Sequence, residues 1–260
     1  MARTAAAWDP AQYLRFANER LRPALDLLAQ VPLDAPAHVV DLGCGAGNVT
    51  AILKQRFPQA DVVGVDGSAA MLEKARASTP DCRFEQADFF TWQPAIAPAL
   101  IYSNAALQWV DRHAVLLPRL LSFLARGGVL AVQMPAMHAT PLRRLPLQIA
   151  SAGPWAEHLR DVVSAPDILS PAEYWDLLRP HAASLEMWQT TYMHALSGEN
   201  AVMQWASGSS LRPFLDKLPD ALQELFRQAY AEASLPHYPR RPDGTTLLPF
   251  QRLFIVVRVA

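Results

Sequence analysis

Short apolar segments alternate with amphipathic segments along the first half of the chain. The apolar segments contain many β-branched residues and end at acids, glycines or prolines, which is typical of buried strands. The segments between them repeat apolar residues at helical spacing. The predicted strands are His38–Leu42, Asp61–Asp66, Arg83–Ala87, Leu100–Asn104 and Val129–Met134, and the predicted helices are Asn48–Phe57, Ser68–Ser78 and Asp111–Leu124. This alternation predicts an α/β fold, a doubly wound, mostly parallel sheet of the Rossmann-like type.

The pattern changes after Pro135. Prolines interrupt short apolar helical fragments, and we expect two helical insertions at about 136–168 and 197–240. Two late strands are predicted to add an antiparallel edge and complete seven strands. The late elements are the helices Pro171–Leu178, Glu199–Ala206 and Leu218–Ala233 and the strands Leu185–Leu196 and Leu247–Val259. We expect one domain over residues 1–260, with the insertions forming a lid over the carboxyl edge of the sheet.

Composition excludes several classes of protein. The chain has 260 residues, a net charge of -1 and two cysteines. A net charge near zero does not indicate a surface that binds nucleic acid. Two cysteines are too few for a disulfide framework or a metal site made of cysteines. No apolar run approaches the roughly 18 residues of a membrane span. The N-terminus lacks the apolar core of a secretion signal. We therefore expect a cytoplasmic protein with no metal, no membrane and no obligate protein partner.

A glycine-rich turn follows the first predicted strand. Its pattern is D-x-G-x-G-x-G-N, formed by Asp41, Gly43, Cys44, Gly45, Gly47 and Asn48. Glycines let a ligand lie against the backbone. An acid here would repel the pyrophosphate of a dinucleotide but would attract a sulfonium or an ammonium group, which disfavours a dehydrogenase. The turn resembles that of the S-adenosylmethionine-dependent methyltransferases of the Rossmann-like class.

The resemblance implies that three acidic residues contact the cofactor. Asp41 is expected to orient the methionine ammonium, Asp66 to accept from the ribose hydroxyls, and Asp88 to accept from the adenine amino group. They fall at the ends of consecutive predicted strands, whose carboxyl ends share one edge. The remaining expected cofactor contacts are Gly67, Ser68, Met71, Phe89, Asn104, Ala105 and Trp109.

Further stretches are similar to the trans-aconitate 2-methyltransferase family and span nearly the whole chain. They are Trp8 to Phe16, Asn18 to Arg20, Asn104 to Trp109, Val132 to Pro135, Thr190 to His194, Leu211 to Phe214 and Leu247 to Val257. The resemblance implies methylation of one carboxylate of trans-aconitate with S-adenosylmethionine. Departures from the family pattern at 136–137, 140–143 and Ser210 lie in the expected lid and bear on the substrate.

A carboxylate substrate sets the expected mechanism. It is ionised at neutral pH because carboxyl pKa values lie near 4, so no general base and no catalytic side chain are expected. The enzyme acts by positioning. Arg212 is the first candidate to bind the other carboxylates, because Pro213 should bias it towards an extended conformation. The full set of expected substrate contacts is Tyr13, Arg20, Gln108, Tyr192, His194, Arg212 and Arg252.

Two alternatives stay open at this point. One is an O-methyltransferase for another carboxylate, including a carrier-bound acyl group. The other is a regulatory module that binds S-adenosylmethionine and transfers no methyl group.

Overall fold

A seven-stranded sheet forms the centre of the fold. The computed structural model describes residues 17–162 and 167–260; for residues 17–20 it describes the backbone only. The strand order is β3-β2-β1-β4-β5-β7-β6. The strands are β1 (His38–Leu42), β2 (Asp61–Asp66), β3 (Arg83–Gln86), β4 (Leu100–Asn104), β5 (Val129–Pro135), β6 (Ser184–Ser197) and β7 (Thr245–Arg258).

The first five strands are parallel, as predicted. Their apolar runs are buried because helices accompany a parallel sheet on its faces. β7 pairs antiparallel with β5, so the predicted antiparallel element is also confirmed. β6 lies next to β7 at the end of the sheet. The fold class predicted from the alternation is therefore correct.

The helices match the predicted ones with shifted ends. Ser68 caps its helix by accepting from the Met71 N–H, and Ser170 forms a capping box with Glu173, as residues of this type do at helix starts. The helices are α1 (Ala17–Leu28), α2 (Asn48–Arg56), α3 (Ala69–Ser78), α4 (His113–Ser122), α5 (Pro141–Ala150), α6 (Ala156–Leu159), α7 (Pro171–Leu178), α8 (Ala201–Ser207), α9 (Arg212–Leu215) and α10 (Asp220–Ser234).

Some predicted boundaries are wrong for local reasons. α4 starts at His113 rather than Asp111 because Arg112 adopts a left-handed conformation, with φ 54°. β3 stops at Gln86, while β5 continues to Pro135, which is paired with Arg252. The sequence also predicts a helix from Asp9-Pro10 to about Gln30. Its start lies outside the described residues, and its described part is Ala17–Leu28.

The expectation of an extended Arg212 is also wrong. Arg212 is the first residue of the short helix α9, with Pro213 directly after it. Proline is tolerated in the first turn of a helix because the N–H groups there have no partner within the helix. The steric bias of a following proline is therefore overridden at this position.

The chain divides into two compact units. The described part of the first comprises Arg20–Pro135, 167–190 and Arg252–Ala260, and so contains the parallel strands. The second contains 136–162 and Thr191–Gln251. In the first unit the Tyr102 hydroxyl donates to the Ala24 carbonyl at 2.5 Å, which ties α1 to β4.

The second unit has a hydrophobic core of its own. Both predicted insertions contribute to it, because α5 and α8 each contact α10. Three aromatic residues lie at its centre, and the Phe226 ring packs edge-on against Trp155 and stacks with Phe214. That these insertions form a lid over the carboxyl edge of the sheet stays a prediction.

We expect removal of the hydroxyl group to change the melting temperature in opposite directions at two buried tyrosines. The Tyr230 hydroxyl is buried and has no hydrogen-bond partner in the described part of the chain, whereas the Tyr102 hydroxyl is bonded. Because an unpaired buried polar group costs roughly 1–3 kcal/mol, Tyr230→Phe should raise the melting temperature and Tyr102→Phe should lower it. Thermal unfolding followed by circular dichroism measures both. A lower melting temperature for Tyr230→Phe would contradict this interpretation.

Candidate functional site

The glycine turn is held against the neighbouring strand. The Gly43 and Cys44 N–H groups both donate to the Val65 carbonyl, at 2.7 and 3.0 Å. The Gly45 N–H donates to Asp66 Oδ2 at 2.9 Å. These bonds fix the turn between β1 and α2 relative to the end of β2, so that the backbone and the Asp66 carboxylate form one rigid group.

The glycines of the turn have different roles. A Cβ on Gly43 would lie 2.2 Å from the Cβ of Ala106, so this glycine allows the turn to approach the loop after β4. Gly45 has φ 55°, and a Cβ built on it would have no heavy atom of the described residues within 4 Å. Open space therefore lies above Gly45, and any other residue there would partly fill it. Gly47 precedes α2 in the left-handed conformation, with φ 83°, and Asn48 is the first residue of that helix.

Asp41 is a buried carboxyl group in β1. Its side chain is 1% exposed, and its Oδ2 accepts from the Thr50 hydroxyl of α2 at 2.6 Å. Burial raises the pKa of Asp41 to about 7, the Thr50 bond opposes this shift, and the nearby Asp66 carboxylate adds to it. A cation placed near this group would therefore favour its ionised form and be stabilised by it.

Asp66 ends β2 with its side chain fixed in orientation. Its Oδ1 accepts from the Ser68 N–H at 2.8 Å, while Oδ2 takes the Gly45 N–H. A carboxylate has about four lone-pair sites, so acceptor capacity remains for a pair of hydroxyl groups. The Gly67 carbonyl accepts from the Gln86 side chain at 3.2 Å, and the Met71 N–H donates to Ser68 Oγ at 3.4 Å. These residues form the start of α3.

Asp88 is exposed and lies in the turn after β3. Its Oδ1 accepts from the Phe90 N–H at 2.8 Å. Phe89 reaches the glycine turn, since its Cζ lies 3.3 Å from the position of a Cβ on Gly43. Arg119 of α4 holds this segment by donating to the carbonyls of Phe89 at 3.1 Å and Trp92 at 2.5 Å. An arginine therefore supports the turn predicted to contact adenine.

The loop after β4 brings two amides to the same edge. Asn104 Oδ1 and Gln108 Oε1 are buried atoms with no hydrogen-bond partner among the described residues. Gln108 Nε2 donates to the Ala105 carbonyl at 2.7 Å, and the Ala105 N–H donates to the Gln133 carbonyl at 2.9 Å. Ala105 has φ 52°, and Trp109 is 49% exposed. The loop therefore presents two acceptor oxygens and an exposed indole.

The buried side chain of His113 forms a hydrogen bond with the backbone of this loop. The backbone carbonyl of Leu107 can only accept, so His113 Nε2 donates to it at 2.9 Å, and Nδ1 then accepts from the Tyr174 hydroxyl at 2.5 Å. Burial lowers the pKa of His113 and raises that of Tyr174. His113 is therefore neutral at pH 7 and positions the turn that carries Gln108 and Trp109.

Cys44 is a buried residue of the turn. Burial is the largest cause that raises the pKa of its thiol, and the carboxyl groups of Asp41 and Asp66 raise it further. The thiol is thus protonated at neutral pH, which is the wrong state for a nucleophile. Among the described residues, no group of three or more histidines, cysteines and acids is placed to hold a metal ion. No helix within that part of the chain is both long and apolar enough to cross a membrane.

The expected substrate contacts are distributed over both units. Arg252 of β7, in the first unit, is 4% exposed and donates from Nη1 to Gln133 Oε1 at 3.2 Å. In the second unit, the buried His194 ring stacks on Trp205 with centroids 4.7 Å apart, Tyr192 is buried on the same strand, and Arg212 Nε lies 3.4 Å from Asp216 Oδ2. Tyr13 and the Arg20 side chain are outside the described residues.

The sequence interpretation missed three residues of this edge. They are Thr50, which bonds Asp41, His113, which holds the loop after β4, and Gln133, which contacts Arg252. Gln133 carried a detectable signal, because it is the single polar side chain in the apolar run of β5. Thr50 and His113 carried none, since their partners are distant in sequence or are backbone atoms.

The geometry fits a cationic nucleoside cofactor. Open space above Gly45 admits a ligand against the backbone, the orphaned Asn104 Oδ1 and the Asp41 carboxyl group favour an ammonium, and Asp66 retains acceptor sites for hydroxyls. The cofactor roles of Asp41, Asp66 and Asn104 stay predictions.

Comparisons with known proteins agree with this geometry. Residues 39–128 match the family model described as "Methyltransferase domain". Trans-aconitate 2-methyltransferase of Methylobacterium radiotolerans is 50% identical over 258 residues, which cover 98% of this chain and 99% of the relative. Trans-aconitate 2-methyltransferase of Paracidovorax citrulli is 49% identical over 96% of this chain and 98% of its own length.

Solved structures share the fold at low identity. The YcgJ protein of Bacillus subtilis has a TM-score of 0.59 and 15% identity, over 92% of this chain and 98% of that one. Phosphoethanolamine N-methyltransferase 2 of Haemonchus contortus, solved in complex with S-adenosyl-L-methionine, has a TM-score of 0.55 and 14% identity over 92% of this chain and 53% of that one. On the near full-length identity to its curated relatives, the chain belongs to the trans-aconitate 2-methyltransferase family.

Proposed function

We propose that this protein transfers the methyl group of S-adenosylmethionine to one carboxylate of trans-aconitate, giving the monomethyl ester. The observation that carries the substrate is the 50% identity over 98% of the chain to a trans-aconitate 2-methyltransferase. The residues at the carboxyl edge of the sheet support the cofactor. Asp66 accepts from the Gly45 N–H, and Asp41 in β1 and Asn104 at the end of β4 supply further acceptors, which a cationic donor with a ribose requires.

The reaction needs no proton transfer. When bound, S-adenosylmethionine supplies a methyl group on a positive sulfur, so that an oxygen lone pair of the carboxylate forms the new O–C bond while the electrons of the breaking C–S bond stay on sulfur. The substrate carboxylate is already ionised at pH 7. The protonated Cys44 thiol and the neutral His113, which is occupied by Leu107 and Tyr174, are in keeping with a site that has no general base.

The contribution of this chain is therefore orientation. The fixed glycine turn and the Asp66 carboxylate hold the methyl donor. Hydrogen-bond donors to the remaining carboxylates hold the methyl acceptor. Positioning of two reactants in this way supplies on the order of 7–11 kcal/mol of a barrier. Arginines suit the acceptor side because the guanidinium forms two parallel hydrogen bonds with a carboxylate. Arg20, Arg212 and Arg252 stay the candidates, with Tyr13, Gln108, Tyr192 and His194 as neutral partners.

The decisive experiment is a transfer assay with labelled S-adenosylmethionine. Purified protein is incubated with trans-aconitate, other small di- and tricarboxylates, and acyl groups on a carrier protein. We expect the highest kcat/KM for trans-aconitate and a base-labile methyl ester as product. Preference for the carrier-bound acyl groups would favour the alternative carboxylate. Binding of S-adenosylhomocysteine without transfer to any acid would favour the regulatory module.

Asp41 predicts a pH dependence of cofactor binding. Its pKa of about 7 in the free protein means that the carboxyl group is largely neutral at pH 6. An ammonium favours the ionised form, so binding of S-adenosylhomocysteine should tighten as pH rises from 6 to 8 and then level off. Isothermal titration calorimetry at several pH values measures this. Asp41→Asn should bind more weakly at pH 8 and lose this part of the pH dependence; an unchanged profile would contradict the role.

The raised pKa of Asp41 also predicts a difference in stability between the wild type and Asp41→Asn when no ligand is bound. The folded pKa of about 7 lies above the value of 3.8 for an ordinary aspartate, so the folded state binds more protons between these values and stability falls as pH rises through that window. Asp41→Asn removes this loss. We expect the variant to match the wild type near pH 3.5 and to exceed it by roughly 1–4 kcal/mol at pH 8. Denaturant unfolding at both pH values tests this expectation, and a less stable variant at pH 8 would refute it.

Arg212 predicts a kinetic effect. If it binds a substrate carboxylate, Arg212→Ala should lower kcat/KM at least about tenfold, since a bond to a charged group is worth roughly 1.5–3 kcal/mol. Asp216→Ala is the matched control, because it removes the partner of Arg212 at the end of α9 and leaves the guanidinium in place. Equal kinetics for the two variants and the wild type, with every acid tested, would remove Arg212 from the site.

A further inference from the structure

Five polar side chains lie on one face of the sheet along its carboxyl edge. Cα partners on adjacent strands share a face, and so do residues two apart on one strand. The pairs that fix the row are Asp41 with Gly64, Asp41 with Tyr102, Asn104 with Gln133, and Pro135 with Arg252. The members of the row, from β2 to β7, are Asp66, Asp41, Asn104, Gln133 and Arg252.

Charge changes sign along this row. The carboxyl groups lie on β2 and β1, the two neutral amides on β4 and β5, and the guanidinium on β7. Neighbouring strands are about 4.8 Å apart, so β1, which carries Asp41, and β7, which carries Arg252, are separated by roughly 14 Å across three strand spacings. A cation is favoured at the glycine turn and an anion at the other end. The row therefore has the polarity that a cationic donor and an anionic acceptor need when they lie side by side.

Gln133 is the residue of this row that lacks an explanation within the fold. Its side chain is fully buried, Oε1 accepts from Arg252 Nη1 at 3.2 Å, and Nε2 has no hydrogen-bond partner in the described part of the chain. The assignment of the amide is chemically fixed, because a guanidinium only donates. A buried N–H donor without a partner costs roughly 1–3 kcal/mol, which an apolar residue in this apolar strand would avoid.

A supporting role for Arg252 does not account for an amide at this position. A glutamate would hold the guanidinium more strongly through a charge-assisted bond, but it would cancel the positive charge. Glutamine fixes the guanidinium through Oε1, leaves its charge in place and adds a second donor beside it. Two adjacent donor groups, one of them positive, match the two acceptor oxygens of a carboxylate.

The geometry points to Gln133 and Arg252 as the anchor for a non-reacting carboxylate of the acid substrate. This inference rests on the proposed function, since it requires an acceptor with more than one carboxylate. Gln133 Nε2 donates to the carboxylate and Gln133 Oε1 orients the guanidinium. Because both side chains are buried, water does not compete for these bonds. The anchor therefore selects acids that carry a second carboxylate.

Kinetics of Gln133→Leu test the anchor. The variant removes both amide functions at similar volume. It relieves the unpaired Nε2 donor but also removes the acceptor of Arg252 Nη1, so its melting temperature is measured beside its kinetics. We expect KM for trans-aconitate to rise at least about tenfold, with the dissociation constant of S-adenosylhomocysteine unchanged. Gln133→Glu should raise KM further by placing a negative charge against the substrate.

A structural control and a shortened substrate complete the experiment. Ser103→Ala removes a buried hydrogen bond to the Leu42 carbonyl from the opposite face of β4 and should lower stability without raising KM. For an acid that lacks one non-reacting carboxylate, wild type and Gln133→Leu should have similar KM values.

Three results would overturn the inference. An unchanged KM for trans-aconitate in Gln133→Leu, or a KM increase that is equal for the shortened acid, means that Gln133 does not contact the second carboxylate. A loss of melting temperature with KM unchanged means that its role is structural. If the wild-type protein methylates no polycarboxylic acid at all, the proposed function fails, which this comparison separates from failure of the anchor alone.

Discussion

The placement of buried acceptor groups beside an open glycine turn is the constraint on which the site depends. Asp41 is held under the turn by Thr50, and Asp66 is bonded to the turn itself through the Gly45 N–H. Burial keeps the pKa of Asp41 near neutrality, which is unfavourable for the free protein and favourable once a cation is bound. The site thus gives up stability to be complementary to a positively charged ligand.

The rest of the edge follows from the same electrostatic logic. A reaction between a cationic donor and an anionic acceptor loses charge on both partners, so the protein gains most by holding the two in line and by keeping water out. Along the carboxyl edge of the sheet, Asp41 and Asp66 provide hydrogen-bond acceptors at one end, and Gln133 and Arg252 provide hydrogen-bond donors at the other. The His113–Tyr174 pair and Arg119 stabilise the loops that carry these groups, and none of the three is placed to move a proton during the transfer.

The fold was largely predictable from the sequence, and the details that were not have physical causes. The alternation of apolar and amphipathic segments predicted the parallel strands, because their periodicity is set by burial on both faces. Helix ends depended on backbone conformations such as that of Arg112, which residue type does not determine. Arg212 was expected to be extended, yet it starts a helix in which the following proline is tolerated.

The site was predictable where it lies next to a local motif. Asp41, Gly45 and Asp66 could be identified from the pattern of the turn, its resemblance to the methyltransferases and the predicted ends of the first two strands. Gln133 and Arg252 are far apart in the chain and meet only through the pairing of β5 with β7. The contacts that decide acid recognition are therefore long-range, and no spacing in the sequence indicates them.

A crystal structure of the protein with S-adenosylhomocysteine and trans-aconitate tests the central claim most directly. We expect the homocysteine amino group within hydrogen-bond reach of Asn104 Oδ1 or Asp41, the ribose hydroxyls on Asp66, and a carboxylate of the acid facing the sulfur above Gly45. An acid bound far from the sulfur, or a nucleoside bound away from the glycine turn, would contradict it.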